Sequence, residues 1–141
     1  MLAFEASSTI AATPEKVWTV LVRGSEWPNW DSGVASVDGT IALGKKLKIQ
    51  SKVAPGRTFP VKVTKFAGLE NLEFTGGMPF GLFKGVRTYT LTSDKSGGTL
   101  FTMREEYTGP LAGSIGKSIP DLNPSFRQFA AGLKARVESS S

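Results

Sequence analysis

Two tyrosines, an arginine and a glutamate are the residues of this sequence best suited to chemistry. Alternate residues of a β-strand point to the same face of a sheet. Arg87 and Tyr89 therefore share one face of a predicted strand, residues 82–93, and Glu105 and Tyr107 share one face of its predicted partner, residues 99–108. Because large apolar residues occupy the same faces, we expect all four side chains to point to the interior, where they are the catalytic candidates.

The opposite charges of Arg87 and Glu105 are expected to lie near each other across this hairpin, which leaves two interpretations open. In the first, the two side chains form an internal ion pair that satisfies both. In the second, Arg87 binds a ligand carboxylate, phenolate or carbonyl, while Glu105 or Tyr89 transfers a proton. Burial raises the pKa of a glutamate towards that of a general acid or base, but a nearby arginine opposes the rise and so argues against catalysis.

The absence of cysteine and histidine excludes most other chemistry. With neither residue among 141, the chain has no disulfide, no thiolate nucleophile and no histidine general base. Its acidic residues show no metal-ligand spacing, so we expect no metal and no cofactor.

The elements that must position the four candidates follow an α+β order. An alternating segment, residues 2–11, predicts a strand, and Thr13 and Pro14 mark the start of a helix that ends near Gly24. A second, single helical turn is predicted over residues 25–31. The strand block follows at residues 34–37, 47–53, 60–66, around 72–74, 82–93 and 99–108, with loops at 54–57 and 76–81 and a connection at 109–117.

A long amphipathic helix is predicted over residues 118–138. Its apolar residues recur at spacings of three and four and form one bulky stripe, which needs an apolar partner surface. We expect Ser118 and Asp121 to cap its start, and the antiparallel sheet to supply the partner surface. The stripe consists of Leu122, Phe126, Phe129, Ala130, Leu133 and Val137.

An internal cavity between this helix and the sheet is the expected ligand site. Its predicted lining is apolar and aromatic, with a few polar groups that would orient a ligand. The two tryptophans are expected to pack between helix and sheet, with the alternative that one of them lines the cavity. The predicted ligand-binding residues are Trp27, Trp30, Leu72, Phe74, Phe83, Arg87, Tyr89, Phe101, Met103, Glu105, Phe126, Phe129 and Leu133.

Three segments resemble a known family. Residues 12–18 (ATPEKVW), 104–111 (REEYTGPL) and 132–138 (GLKARVE), in this order of elements, resemble the START/Bet v 1-like (SRPBCC) superfamily, and within it the polyketide cyclase/dehydrase and lipid-transport group. The resemblance covers essentially the whole chain and implies a single domain, residues 1–141. The implied architecture is a helix-grip fold, in which a curved seven-stranded antiparallel sheet wraps around a long C-terminal helix and two short helices follow the first strand.

The resemblance implies ligand classes more than a reaction. Members bind sterols, lipids, polyketides, plant hormones or aromatic compounds, and some are cyclases or dehydratases. Many relatives carry a histidine in the strand that here has Arg87 and Tyr89. Any histidine-dependent activity of those relatives is therefore not expected in this chain.

Composition sets the expected partners. The net charge is +5, but the basic residues are scattered, apart from Lys45, Lys46 and Lys48, and do not alternate with aromatic residues as in a nucleic-acid groove. No apolar run is long enough for a transmembrane helix, and the N-terminus does not resemble a signal peptide, so we expect a cytoplasmic protein. Whether the protein forms a homodimer through an edge strand is left open by the sequence.

The sequence is compatible with three functions. The leading one is a binding protein for a hydrophobic or aromatic small molecule, such as a lipid or polyketide, with a glycine-rich gate loop at residues 76–85. The first alternative is a cyclase- or dehydratase-like enzyme that uses Arg87, Tyr89 and Glu105 without metal or histidine. The second is a protein-interaction module, for which an exposed apolar patch would be the sign.

Overall fold

A seven-stranded antiparallel sheet, curved around a long C-terminal helix, forms the body of the computed structural model, which describes residues 2–52 and 56–139. The strand order is β1-β7-β6-β5-β4-β3-β2. The strands are β1 (Leu2–Ile10), β2 (Val34–Asp38), β3 (Lys46–Ser51), β4 (Phe59–Ala67), β5 (Asn71–Gly77), β6 (Lys84–Ser93) and β7 (Thr99–Thr108). The helices are α1 (Pro14–Leu21), a 3₁₀ helix (Gly24–Asn29), a 3₁₀ turn (Pro79–Gly81), α2 (Ala112–Gly116) and α3 (Asn123–Ser139). The predicted helix-grip architecture is confirmed.

The start of α1 follows the predicted local chemistry. Thr13 has extended backbone angles, and its hydroxyl accepts a hydrogen bond from the backbone N–H of Lys16 at 3.4 Å, while Pro14 occupies the first helical position. The predicted second turn is the 3₁₀ helix, which turns Trp27 into the interior. Its indole N–H donates to the backbone carbonyl of Leu21 at 3.0 Å, so this buried polar group is satisfied.

The structure corrects the predicted start of the last helix. α3 begins at Asn123 rather than at Ser118, because Pro120 disfavours helical backbone in the residue before it. Asp121 does lie at the helix start, where its carboxylate accepts a hydrogen bond from the Asn123 backbone N–H at 3.0 Å. Ser118 makes no such contact, and part of the predicted connection before it forms α2.

Smaller corrections concern the strands. Gly76 and Gly77 continue β5 instead of opening a loop, so the true β5–β6 loop is residues 78–83. β3 ends at Ser51 within the described residues, and the predicted end at Val53 and half of the predicted 54–57 turn lie outside them.

Side chains of α3 bind the open edge of β1. The Asn123 side-chain oxygen accepts from the Glu5 N–H at 3.1 Å, Lys134 donates to the Thr9 carbonyl at 2.6 Å, and Glu138 accepts from the Ala11 N–H at 2.8 Å. An uncovered strand edge is a template for pairing with another chain. The helix therefore protects this edge of the sheet.

None of the helices within residues 2–52 and 56–139 combines the length and apolar character needed to cross a membrane.

The approach of α3 to the 3₁₀ helix depends on Gly132. A Cβ atom at this position would overlap the backbone carbonyl of Asp31 and lie 3.2 Å from the Trp30 ring. A backbone oxygen cannot rotate away, so this overlap outweighs the ~1 kcal/mol that alanine gains over glycine inside a helix. We expect Gly132→Ala to lower the free energy of unfolding by about 2 kcal/mol, measured by urea denaturation.

Gly113→Ala in α2 is the matched control, because a Cβ atom there meets nothing within 4 Å. We expect no loss of stability in that variant. Equal stability of the two variants would show that α3 does not rely on the close approach at Gly132.

Candidate functional site

Arg87 and Glu105 form an ion pair on the face of the sheet that is turned towards α3. The register of β6 and β7 places them directly opposite each other. Arg87 Nε and Nη2 both donate to Glu105 Oε2, at 3.1 and 2.7 Å. The two side chains are 26% and 13% exposed, so the pair lies at the border of the core. The first interpretation of these residues, an internal ion pair, is confirmed.

Its surroundings keep the Arg87 side chain positively charged. Burial alone would lower the pKa of Arg87, but the charge of Glu105, with a smaller contribution from Tyr89, outweighs burial and raises the pKa above its usual value. The guanidinium carbon also lies 4.8 Å from the centre of the Phe126 ring, within the range of a cation–π contact.

The two tyrosines beside this pair keep their protons. Burial raises the pKa of Tyr89, Arg87 opposes the rise, and Glu105 adds to it. Burial and the negative charge of Glu105 raise the pKa of Tyr107, while Arg87 opposes the rise. Among residues 2–52 and 56–139, no group makes a hydrogen bond of ordinary geometry with the fully buried Tyr89 hydroxyl. Both hydroxyls are therefore neutral at physiological pH and can donate hydrogen bonds but cannot act as bases.

The four catalytic candidates thus lie on one face, as their alternation predicts. The opposite face of the same strands is half-exposed, and there Arg104 pairs with Glu5 at 3.0 Å and with Glu106 at 2.9 Å. The inward cluster consists of Arg87, Tyr89, Glu105 and Tyr107, and we call it the polar cluster.

Aromatic rings fill the space under the middle of α3. The Phe129 ring lies 4.9 Å from that of Trp27, 5.1 Å from Trp30, 5.6 Å from Tyr89 and 6.1 Å from Phe101, measured between centroids. The expected ligand space at this position is therefore occupied by side chains of the protein. The predicted ligand-binding residues buried here are Trp27, Trp30, Leu72, Phe74, Tyr89, Phe101, Met103, Phe126, Phe129 and Leu133.

Trp27 packs between α3 and the sheet, which was the first of its two interpretations, and Trp30 is buried against α3. Trp27 is edge-on to Phe129 and tilted against Phe74, and Trp30 is edge-on to Phe129. Neither tryptophan lines the cleft that opens beside α2.

A cleft of about 520 Å³ opens instead beside α2, where the first and last strands meet. It lies between the start of β1, the end of β7 and the short helix. Most of the atoms that face it are apolar, and its floor is made of glycine and alanine. The lining residues are Leu2, Tyr107, Thr108, Gly109, Ala112, Gly113, Gly116 and Lys117.

Tyr107 joins the cleft to the polar cluster. It lines the cleft, and its hydroxyl lies beside Glu105. Its ring stacks on Phe83 at 5.5 Å and meets Phe4 edge-on at 6.1 Å. Of the sequence-predicted site residues, Tyr107 is thus the one that faces the cleft, while Phe83 supports it.

The sequence indicated the other cleft residues only weakly. The segment 109–117 reads as a connection of small residues, and its small side chains are what leave the cleft open. Leu2 stands at the far end of the chain, and a Cβ atom at Gly116 would lie 3.3 Å from its Cδ2. In the part of the chain that the structure describes, no three His, Cys, Asp or Glu side chains are arranged to hold a metal ion.

A model of polyketide cyclase/dehydrase and lipid transport proteins matches residues 1–138. The chain belongs to this family. No curated protein matches the chain at a significant level.

Solved structures confirm the fold of this family member. A protein from Mesorhizobium loti superposes with a TM-score of 0.75 at 19% identity, and one from Thermus thermophilus with 0.74 at 20%, each over 99% of both chains. A START superfamily protein from Mycobacterium smegmatis has a TM-score of 0.71 at 15% identity, again over 99% of both chains. These likenesses establish the START-like architecture.

Loss of one partner of the internal ion pair should destabilise the protein more than loss of a surface pair. Arg87→Met leaves the mostly buried Glu105 unpaired, and we expect the free energy of unfolding to fall by about 2 kcal/mol, less than for a fully buried pair because Arg87 is partly exposed. Arg104→Met, the control, breaks two exposed pairs that are screened by solvent and should cost less stability than Arg87→Met. Urea denaturation measures both, and a loss for Arg104→Met as large as that for Arg87→Met would contradict the assignment.

Alkaline titration should report the environment of the two tyrosines. The pKa of each is raised above the ordinary value of 10.0, so the folded protein retains protons that the unfolded chain releases. Their contribution to stability is complete below pH 10 and is lost as the pH rises through the folded pKa values.

We expect tyrosinate absorbance to appear at higher pH in the folded protein than in urea. Tyr89→Phe and Tyr107→Phe assign the two transitions. Titration of either tyrosine near pH 10 in the folded state would contradict the buried arrangement.

Proposed function

We propose that this protein binds a small hydrophobic or aromatic molecule in the cleft beside α2. The single observation that carries the proposal is the apolar cleft of about 520 Å³ with the protonated Tyr107 in its wall. Small-molecule sites are typically apolar concavities of about 300–1,000 Å³ with a few placed polar groups. The cleft is of this size and has this composition.

The lining indicates how a ligand would be oriented. Leu2 and the small residues of α2 offer an apolar surface, while Tyr107, Thr108 and Lys117 supply hydrogen-bond donors. A ligand with an apolar body and an acceptor group, such as a carboxylate, phenolate or carbonyl, complements this arrangement. The family description, which includes polyketide chemistry and lipid transport, supports the same ligand class.

The polar cluster favours binding over catalysis. Arg87 donates two hydrogen bonds to the Glu105 carboxylate. These bonds favour the charged carboxylate and so oppose a role of Glu105 as a proton donor. The Tyr107 hydroxyl is held in the protonated form and is suited to hold an acceptor rather than to remove a proton, whereas the Tyr89 hydroxyl is buried away from the cleft. Tyr107 is therefore the member of the polar cluster that a ligand in the cleft can reach.

Filling the cleft should abolish binding. Gly113 lines it, and a Cβ atom there meets nothing within 4 Å, so Gly113→Phe places a ring in the cleft without displacing the backbone. We expect the fluorescence of anilinonaphthalene sulfonate, an aromatic anion, to rise and saturate on titration with the wild type. Dodecanoate should displace the dye, and in Gly113→Phe the Kd for the dye should rise about tenfold or more.

Gly68→Phe is the matched control. Gly68 is in the β4–β5 turn, its added Cβ also meets nothing within 4 Å, and its backbone is outside the left-handed region. We expect this variant to bind the dye as the wild type does, with circular dichroism confirming that all three proteins are folded. Equal binding by Gly113→Phe and the wild type would place the dye elsewhere and refute the cleft as the site.

A further inference from the structure

The β5–β6 loop carries an exposed apolar tip, which we define as Met78, Phe80 and Leu82. All three side chains are exposed, and Phe80 is 98% accessible to solvent. An isolated exposed leucine is ordinary, but an almost fully exposed phenylalanine flanked by two further apolar side chains is not.

The backbone gives no reason for a phenylalanine at this position. Phe80 has φ 61° and ψ 22°, in the left-handed region that favours glycine and is costly for other residues. Its side chain gains no burial that would offset this cost. Neither packing nor local conformation therefore accounts for the residue.

The tip is held in place beside the cleft. The backbone N–H of Leu111 donates to the carbonyl of Leu82 at 2.9 Å, and that of Met78 donates to the carbonyl of Phe83 at 2.8 Å. Leu111 directly precedes α2, whose residues line the cleft. A surface that receives Phe80 would thus lie next to the cleft opening.

The segments nearest the tip along the chain carry charge of one sign. The two segments that meet here, residues 74–86 and 107–120, contain no aspartate or glutamate. Each carries one exposed lysine, Lys84 and Lys117 respectively, and within residues 2–52 and 56–139 neither forms a salt bridge.

We propose that the apolar tip docks the protein on an anionic lipid surface. Phe80 inserts at the boundary between headgroups and acyl chains, and Lys84 and Lys117 face the headgroup phosphates, the arrangement expected of an interfacial anchor. A stable protein–protein interface buries about 800 Å² per partner around packed anchors, more than three side chains of one loop provide. The lipid surface is therefore the better complement to a narrow apolar tip flanked by cations.

Vesicle flotation tests the docking without any added ligand. We expect the wild type to bind vesicles of phosphatidylcholine mixed with phosphatidylglycerol, and to bind pure phosphatidylcholine vesicles more weakly. Phe80→Gly should weaken binding to the mixed vesicles about tenfold. Replacing Lys84 and Lys117 by glutamine should weaken it about fivefold for each charge at low salt.

Leu69→Gly is the matched control for Phe80→Gly. Leu69 is also an exposed apolar residue with positive φ, at 70°, but it lies at the opposite end of β5 and precedes Glu70. We expect it to leave vesicle binding unchanged. Because glycine suits both backbone positions, neither variant should be less stable than the wild type.

Absence of wild-type binding to the anionic vesicles, or equal binding by Phe80→Gly and the wild type, would overturn the proposal. A dimer that Phe80→Gly dissociates would also overturn it, because a second copy of the chain would then occupy the tip. Docking does not rest on the ligand site, so Gly113→Phe should bind vesicles as the wild type does. Loss of vesicle binding in Gly113→Phe would mean that the cleft captures single lipids and would also overturn docking by the tip.

Discussion

The packing of the Phe129 ring is the contact on which the rest of this structure depends. It joins α3 to the 3₁₀ helix through Trp27 and Trp30, and to the sheet through Tyr89 and Phe101. Edge-on and offset rings at these distances combine large apolar burial with favourable electrostatics. The close approach needs Gly132, one turn further along α3, where no side chain fits. The consequence for function is that aromatic side chains fill the middle of the helix grip, whereas the small residues of α2 leave a cleft open beside it.

The packing of the core also bears on where polar and apolar side chains lie. The charges of Arg87 and Glu105 are partly desolvated and are tolerated because the two side chains pair. Tyr107 carries this polarity to the cleft wall, which Lys117 also lines, and the exposed apolar tip belongs to the neighbouring β5–β6 loop. On the outer face, the ion pairs of Arg104 are more exposed to water and contribute little to stability.

Local patterns predicted much of this arrangement. The two-residue period of β6 and β7 was enough to place Arg87, Tyr89, Glu105 and Tyr107 on the inner face. Their pairing follows from the short turn at residues 94–98, where the Asp94 carboxylate accepts hydrogen bonds from the Ser96 and Gly98 backbone N–H groups and so fixes the register. The start of α3 was misplaced because apolar spacing at Leu122 continues the helical pattern across Pro120, which the backbone cannot follow.

By itself, the sequence determined the antiparallel sheet, the long amphipathic helix, the inward polar cluster and the family, because each follows from periodicity or motifs along one stretch of chain. Only the tertiary structure decided where space is left. The cleft brings Leu2 against Gly116, and the core brings Trp27 against Phe129, across separations that no local pattern encodes. Whether an aromatic side chain lines a cavity or fills it depends on the summed volume of its neighbours, and that sum exists only in the folded protein.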